Sequence, residues 1–168
     1  INAEAFAPMG NMKQLLFAIA AKTESILVVI GHNGKNTSLG MKLGRCLRFL
    51  SKSRTPFIMC PLRTASHSYK NIAISVSYHR QEKEKILWAS YLGRINNSRI
   101  SVIIPNARDG FFATGIRSNL MVLKKLYTNL SLEFELLIQK TNVHHIHEAA
   151  MDWSSEHRMG AYLMLTTS

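Results

Sequence analysis

The feature of this 168-residue chain that most restricts its fold is an alternation between short apolar runs and longer segments with helical periodicity. The runs are rich in β-branched residues, which is typical of strands covered on both faces. They lie at Ile26–Ile30, Phe57–Cys60, Ile72–Val76, Ile100–Ile104, Glu133–Ile138 and Ala161–Leu165. Parallel strands joined by helical crossovers produce this pattern, so the sequence predicts an α/β fold with a doubly wound parallel sheet.

The segments between the runs predict amphipathic helices. One face of the first helix carries Leu39, Leu43, Cys46, Leu47 and Leu50, and the opposite face carries Arg45, Arg48 and Lys52. The apolar stripe of a second helix is predicted from Trp88, Tyr91, Leu92 and Ile95. Further helices are predicted at Met12–Lys22, Ile116–Leu130 and His145–Arg158.

Composition narrows the class of protein. The hydrophobic content of 46% is typical of a globular protein, and no apolar run reaches the roughly 18 residues that a membrane span needs. The net charge is +11, and the stretch from Lys35 to Arg63 holds seven basic residues and no acidic one. Such a stretch favours anionic partners. The two cysteines, Cys46 and Cys60, form no CxxC pair and indicate a reducing, intracellular environment.

A glycine-containing loop is the strongest candidate for a binding site. Gly31-His32-Asn33-Gly34-Lys35 follows the first apolar run and precedes the helix predicted from Leu39. Glycines allow the backbone to approach a ligand closely, and the amides at a helix N-terminus face an anion. We expect Thr37 or Ser38 to cap that helix, and Lys35 and Arg45 to supply positive charge.

The spacing of Gly31, Gly34 and Gly44 resembles the G-x2-G-x9-G signature of universal stress proteins. The segment 55–61 (TPFIMCP) is similar to the last strand of that family, and residues 70–105 are similar to its first strand, first helix and second strand. Two positions differ from the family pattern. Arg45 stands where nucleotide-binding members carry a Ser or Thr that contacts phosphate, and Ser77 stands where the first strand often ends in an Asp.

The resemblance implies a Rossmann-like, adenine-nucleotide α-hydrolase-like fold in tandem repeats. Residues 1–61 would be the C-terminal half of a first repeat that contains the glycine loop. Residues 62–69 would be a linker, and residues 70–168 a second repeat without a glycine loop. We therefore expect the chain to be part of a longer tandem protein.

The resemblance also implies a non-enzymatic binding and signalling module of the stress response in the cytoplasm, with at most weak nucleotide hydrolysis. ATP, AMP or another phosphorylated small molecule would bind at Gly31, His32, Asn33, Gly34, Lys35, Gly44 and Arg45. The protein would form a homodimer or an intrachain pseudo-dimer, and nucleic acid is not an expected partner. Two alternatives remain. One is a cytoplasmic regulatory domain of a cation/proton antiporter, the only case that involves a membrane, and the other is a ligand-free dimerisation scaffold.

Other motifs point to no catalysis or metal binding. The sequence contains no G-x-S-x-G, G-x-G-x-x-G or G-x-x-x-x-G-K-[ST] motif. A histidine-rich patch lies near the C-terminus, and it consists of His144, His145, His147, Glu148 and His157. His144 and Glu148 have helical i, i+4 spacing, but no HExxH motif is present. We interpret this patch as the solvent-exposed start of a helix.

Overall fold

The computed structural model describes residues 9–33, 35–53, 55–61 and 69–165, which belong to two compact units. Unit one comprises α1 (Met12–Lys22), β1 (Val28–His32), α2 (Leu43–Leu50) and β2 (Phe57–Pro61). Unit two comprises β3 (Asn71–Ser75), α3 (Glu82–Asn96), β4 (Arg99–Pro105), α4 (Gly110–Asn129), β5 (Phe134–Gln139), α5 (Ile146–Glu156) and β6 (Ala161–Leu163). Apart from Tyr69, the predicted linker 62–69 lies outside the described residues.

Unit one is built around a parallel pair of strands, β1 and β2, whose register runs from Val28 opposite Phe57 to His32 opposite Pro61. Its buried core consists of Ile30, Met41, Cys46 and Leu50. Helix α2 turns Cys46 and Leu50 inward while Arg45 and Arg48 are exposed. The two predicted faces are therefore confirmed for these four residues, whereas Leu39 and Lys52 lie outside the helix.

Unit two is a four-stranded parallel sheet with the strand order β5-β4-β3-β6. Alternate residues of β3 point to opposite faces, so Ile72 and Ile74 join the core cluster that includes residues of α3 and α4, and Ala73 packs with α5. The prediction of a doubly wound α/β fold is confirmed. The strand order reverses at β3, so the crevice beyond the carboxyl ends of β3 and β6 is the place where such folds bind ligands.

Two predictions about helices were wrong. Helix α2 begins at Leu43 rather than at Leu39, because residues 35–42 form a turn of their own. Of the stripe predicted for α3, Leu92 packs against the core, but Tyr91 and Ile95 are exposed to 53% and 63%. The buried face of α3 instead consists of Glu82, Lys85, Ile86, Ala89, Ser90 and Gly93. Within the described part of the chain, no helix is long and apolar enough to cross a membrane.

Candidate functional site

The glycine loop begins inside a strand rather than after one. Gly31 and His32 belong to β1 and lie opposite Cys60 and Pro61 of β2. Beyond them the chain folds back on itself through antiparallel bridges from His32 to Thr37 and from Asn36 to Lys42. Gly34 lies outside the described residues.

The side chain of Asn33 closes this turn. Its Oδ1 accepts hydrogen bonds from the backbone N–H of Lys35 at 3.2 Å and of Asn36 at 2.8 Å. This is an Asx-type turn, in which a side-chain oxygen stands in for a backbone carbonyl. The Asn33 amide therefore has a structural role in the loop, in addition to any contact with a ligand.

The expected cap of α2 was wrong. The N-cap is Lys42, which has an extended backbone and no side-chain cap. Thr37 is buried instead, and its amide and hydroxyl donate to the Met41 carbonyl at 2.8 and 3.1 Å. Among the described residues of this loop, Gly40 has a left-handed backbone, at φ +70°, and it lies outside the signature. The chain needs these extra residues to turn before the helix begins.

The charges expected at the loop are exposed. Lys35, Lys42 and Arg45 all face solvent, and the first turn of α2 contains Gly44 and Arg45 but no acidic residue. The N-terminus of a helix carries a partial positive charge, so Lys42 at the N-cap and Arg45 in the first turn add to a field that already favours anions. The arrangement can attract a phosphate group.

Unit two contains a buried carboxylate that the sequence did not reveal. Ser77 donates a hydrogen bond from its Oγ to Glu82 Oε1 at 2.6 Å. Glu82 Oε2 lies 2.6 Å from Lys85 Nζ in an ion pair, and both side chains are almost fully buried. The buried carboxylate thus comes from the first turn of α3, five residues after Ser77.

This ion pair continues into a polar network between β3, α5 and β6. Lys85 Nζ donates to Ser75 Oγ at 3.3 Å, and Ser75 Oγ is also 2.8 Å from His147 Nδ1 and 2.9 Å from the Tyr162 hydroxyl. Tyr162 in turn donates to the His147 carbonyl at 3.2 Å. The network begins at the carboxyl end of β3, at the switch point of the sheet, and its side chains are paired with one another.

Burial shifts the ionisation of this network. It lowers the pKa of Lys85, an effect that Glu82 partly offsets, and it raises the pKa of Tyr162 to about 12. Burial and the neighbouring Lys85 charge lower the pKa of His147. Ser75 therefore lies between an imidazole whose neutral form is favoured and Lys85 Nζ, which is paired with Glu82. Because its exposed fraction is 0%, no substrate can reach its hydroxyl in this conformation.

The loop after β3 is held by α4. Asn119 Nδ2 donates to the carbonyls of Ser77 and His79, both at 2.9 Å. Asn119 is buried, which is unusual for an amide side chain unless it is fully bonded. An i, i+3 Glu–Lys pair and a buried Asn carry no distinctive sequence motif, since both residue types usually face solvent.

The histidine-rich patch divides into different environments. His144 precedes α5 and its ring is 5.7 Å from that of Phe112, whereas His145 Nδ1 pairs with Glu148 Oε2 at 3.1 Å. His147 turns inward to Ser75, so the interpretation of a wholly exposed patch was wrong. Among the described residues, no three His, Cys, Asp or Glu side chains are grouped as a metal site.

Comparison with known proteins identifies the fold of this chain. No family model matches the sequence, and no characterised protein sequence is similar to it. The structure is similar to a universal stress protein from Archaeoglobus fulgidus DSM 4304, with a TM-score of 0.59 and 11% sequence identity. The match covers 86% of this chain and 51% of that protein, so this chain spans about half its length. At this identity the similarity shows the fold alone, which is the α/β fold of universal stress proteins.

Proposed function

We propose that this chain is a non-enzymatic binding and signalling module of the universal stress type, which binds a phosphorylated anion at the loop between β1 and α2. The observation that carries the proposal is a set of exposed cations: Lys35 in the loop, Lys42 at the N-cap of α2 and Arg45 in its first turn. The similarity of fold supports it, because universal stress proteins place their glycine signature at this loop. ATP and AMP are the ligands to test first.

Arg45 would contact phosphate through its guanidinium, which can donate two parallel hydrogen bonds to phosphate oxygens. It would take the role of the hydroxyl that nucleotide-binding relatives carry at this position. A guanidinium is longer and charged, so we expect the charge of the phosphate to contribute more to affinity than the adenosine moiety. Salt should weaken this binding because the cations are exposed.

Unit two would not bind a second anion at the crevice beyond the carboxyl ends of β3 and β6. The Lys85 ammonium is already paired with Glu82, and the Glu82 carboxylate would repel a phosphate. A buried Ser75 hydroxyl also supports a role without catalysis. The network would stabilise unit two rather than recognise a ligand.

Isothermal titration of the protein with ATP, AMP and inorganic phosphate tests the proposal. The variant Arg45→Gln should weaken binding about tenfold, which corresponds to the loss of about 1.4 kcal/mol. Arg48→Gln is the matched control, because Arg48 is an exposed arginine in the last turn of the same helix. Absence of heat with all three ligands, or equal affinity of the two variants, would contradict the proposal and favour a ligand-free scaffold.

A further inference from the structure

The solvent-facing side of α3 is apolar. Leu87, Tyr91 and Ile95 are exposed to 55%, 53% and 63%, and the half-buried Trp88 packs edge-to-face on Tyr91 with 6.0 Å between ring centroids. A helix on the surface of an α/β unit usually presents polar residues to water. These four residues form what we call the outer stripe of α3.

The outer stripe is continuous on the helix surface. At about 100° per residue, its four members lie within an arc of roughly 100° that faces away from the buried residues of α3. Glu84 and Arg94 lie on the same side of the helix, near the two ends of the stripe, and both are exposed. The stripe is thus an apolar surface with an acid near its N-terminal end and a base near its C-terminal end.

This distribution of charge is self-complementary. Consider two copies of α3 packed antiparallel, with their twofold axis at the level of Ala89. A residue that lies a given number of positions before Ala89 then faces the partner's residue that lies the same number of positions after Ala89. Leu87 then faces the partner's Tyr91, and Glu84 faces the partner's Arg94. Each contact occurs twice, as in any interface in which both copies use the same surface.

We infer that the outer stripe of α3 is a dimerisation surface, on which a second copy of this chain packs its own α3 antiparallel. Burial of aromatic and aliphatic side chains supplies the affinity, since tyrosine and tryptophan are frequent centres of binding energy. The Glu84–Arg94 pairs lie at the rim and contribute mainly orientation. A parallel arrangement would place Glu84 near the partner's Glu84, which is unfavourable.

Sedimentation velocity over a range of micromolar concentrations tests the surface. We expect the wild type to show a concentration-dependent dimer and Tyr91→Glu to raise the dissociation constant at least tenfold. The control is Met121→Glu, which places the same charge at a methionine that is 62% exposed on α4. Circular dichroism confirms that each variant is folded. A monomer at all wild-type concentrations, or equal effects of the two variants, would overturn the inference.

Charge reversal tests the antiparallel geometry. Glu84→Arg and Arg94→Glu should each weaken self-association several-fold, because each places like charges opposite one another twice. A mixture of these two variants should form a heterodimer, because every facing pair is then of opposite charge. The double variant Glu84→Arg/Arg94→Glu should likewise dimerise as the wild type does. If mixing gives no heterodimer, the antiparallel pairing of α3 is wrong.

Discussion

Glu82 and Lys85 are the residues whose burial most departs from what their side chains prefer. Each loses its hydration on folding, and only the contact with the other, supported by Ser77 and Ser75, compensates for that loss. Lys85→Met leaves a buried carboxylate without its counterion. We expect this variant to lower the free energy of unfolding by about 3–5 kcal/mol, measured by urea denaturation.

The double variant Glu82→Leu/Lys85→Met provides the control for this prediction. Replacing both charges with apolar groups removes the desolvation cost together with the attraction, so the double variant should be more stable than Lys85→Met alone. If the double variant is as unstable as the single one, the loss reflects packing at residue 85 rather than an uncompensated charge.

His147 should make stability depend on pH. Its pKa is lowered in the folded protein by burial and by Lys85, whereas in the unfolded chain it lies near about 6.5. The unfolded state therefore binds more protons below about pH 6.5, and stability falls as the pH drops from there towards the folded pKa. The surrounding charged or titratable groups are Lys85, Glu82, His79 and Tyr162.

His147→Gln checks this dependence, because the amide can keep a hydrogen bond to Ser75 but does not titrate. Melting temperatures measured between about pH 7.5 and about pH 5 should fall less in His147→Gln than in the wild type. His157→Gln, which changes an exposed histidine of the same region, is the matched control for the loss of a histidine. An identical slope in the wild type and His147→Gln would refute the role of this residue.

At the scale of the element, α4 contains a glycine that tertiary packing requires. A Cβ at Gly115 would lie 2.9 Å from the Tyr78 carbonyl oxygen and 2.8 Å from Tyr78 Cβ. Alanine usually stabilises a helix interior by about 1 kcal/mol relative to glycine, but here we expect Gly115→Ala to destabilise the protein. Gly110→Ala, in the first turn of the same helix, has nothing within 4 Å of the added atom and should be neutral or stabilising.

Thermal unfolding of the two variants decides between packing and helix propensity. If Gly115→Ala melts at or above the wild-type temperature, the close approach of α4 to the loop after β3 is wrong. The comparison with Gly110→Ala removes the general effect of alanine on the helix, so the difference between the variants reports on the contact with Tyr78.

The elements also show how far the sequence could predict this structure. Apolar runs located each of the six strands among the described residues to within about two residues. The physical reason applies best to β3 and β4, which are buried along almost their whole length and must therefore be apolar, whereas β1 and β5 expose Val29 and Ile138. The buried face of α3 was predicted wrongly, because an argument from periodicity places the most apolar stripe of a helix against the core. Its inner face instead holds an ion pair and the small Gly93, where an added Cβ would lie 3.0 Å from Ile100 Cδ1.

The candidate site was predicted in part. The position of the loop and its exposed cations followed from the glycines and the charge of the sequence, whereas the turn at residues 35–42 depends on Asn33 and Thr37, whose hydrogen bonds have no motif of their own. The network around Ser75 joins residues up to 87 positions apart, so no local pattern could reveal it.

At the scale of the molecule, the two units differ in how much core each contains. The described part of unit one has a two-stranded sheet and a core cluster of four buried residues, whereas unit two has four strands with helices on both faces. A two-stranded sheet with a small core is marginal in water. We expect residues 69–165 expressed alone to fold and to unfold cooperatively, and residues 1–61 alone to show no cooperative transition.

Urea denaturation followed by circular dichroism and tryptophan fluorescence tests this difference. Trp88 and Trp153 both lie in unit two, so fluorescence should report the same transition in the isolated unit as in the whole chain. The two probes should coincide for residues 69–165, as a two-state transition requires. A cooperative transition of residues 1–61 alone would contradict the prediction.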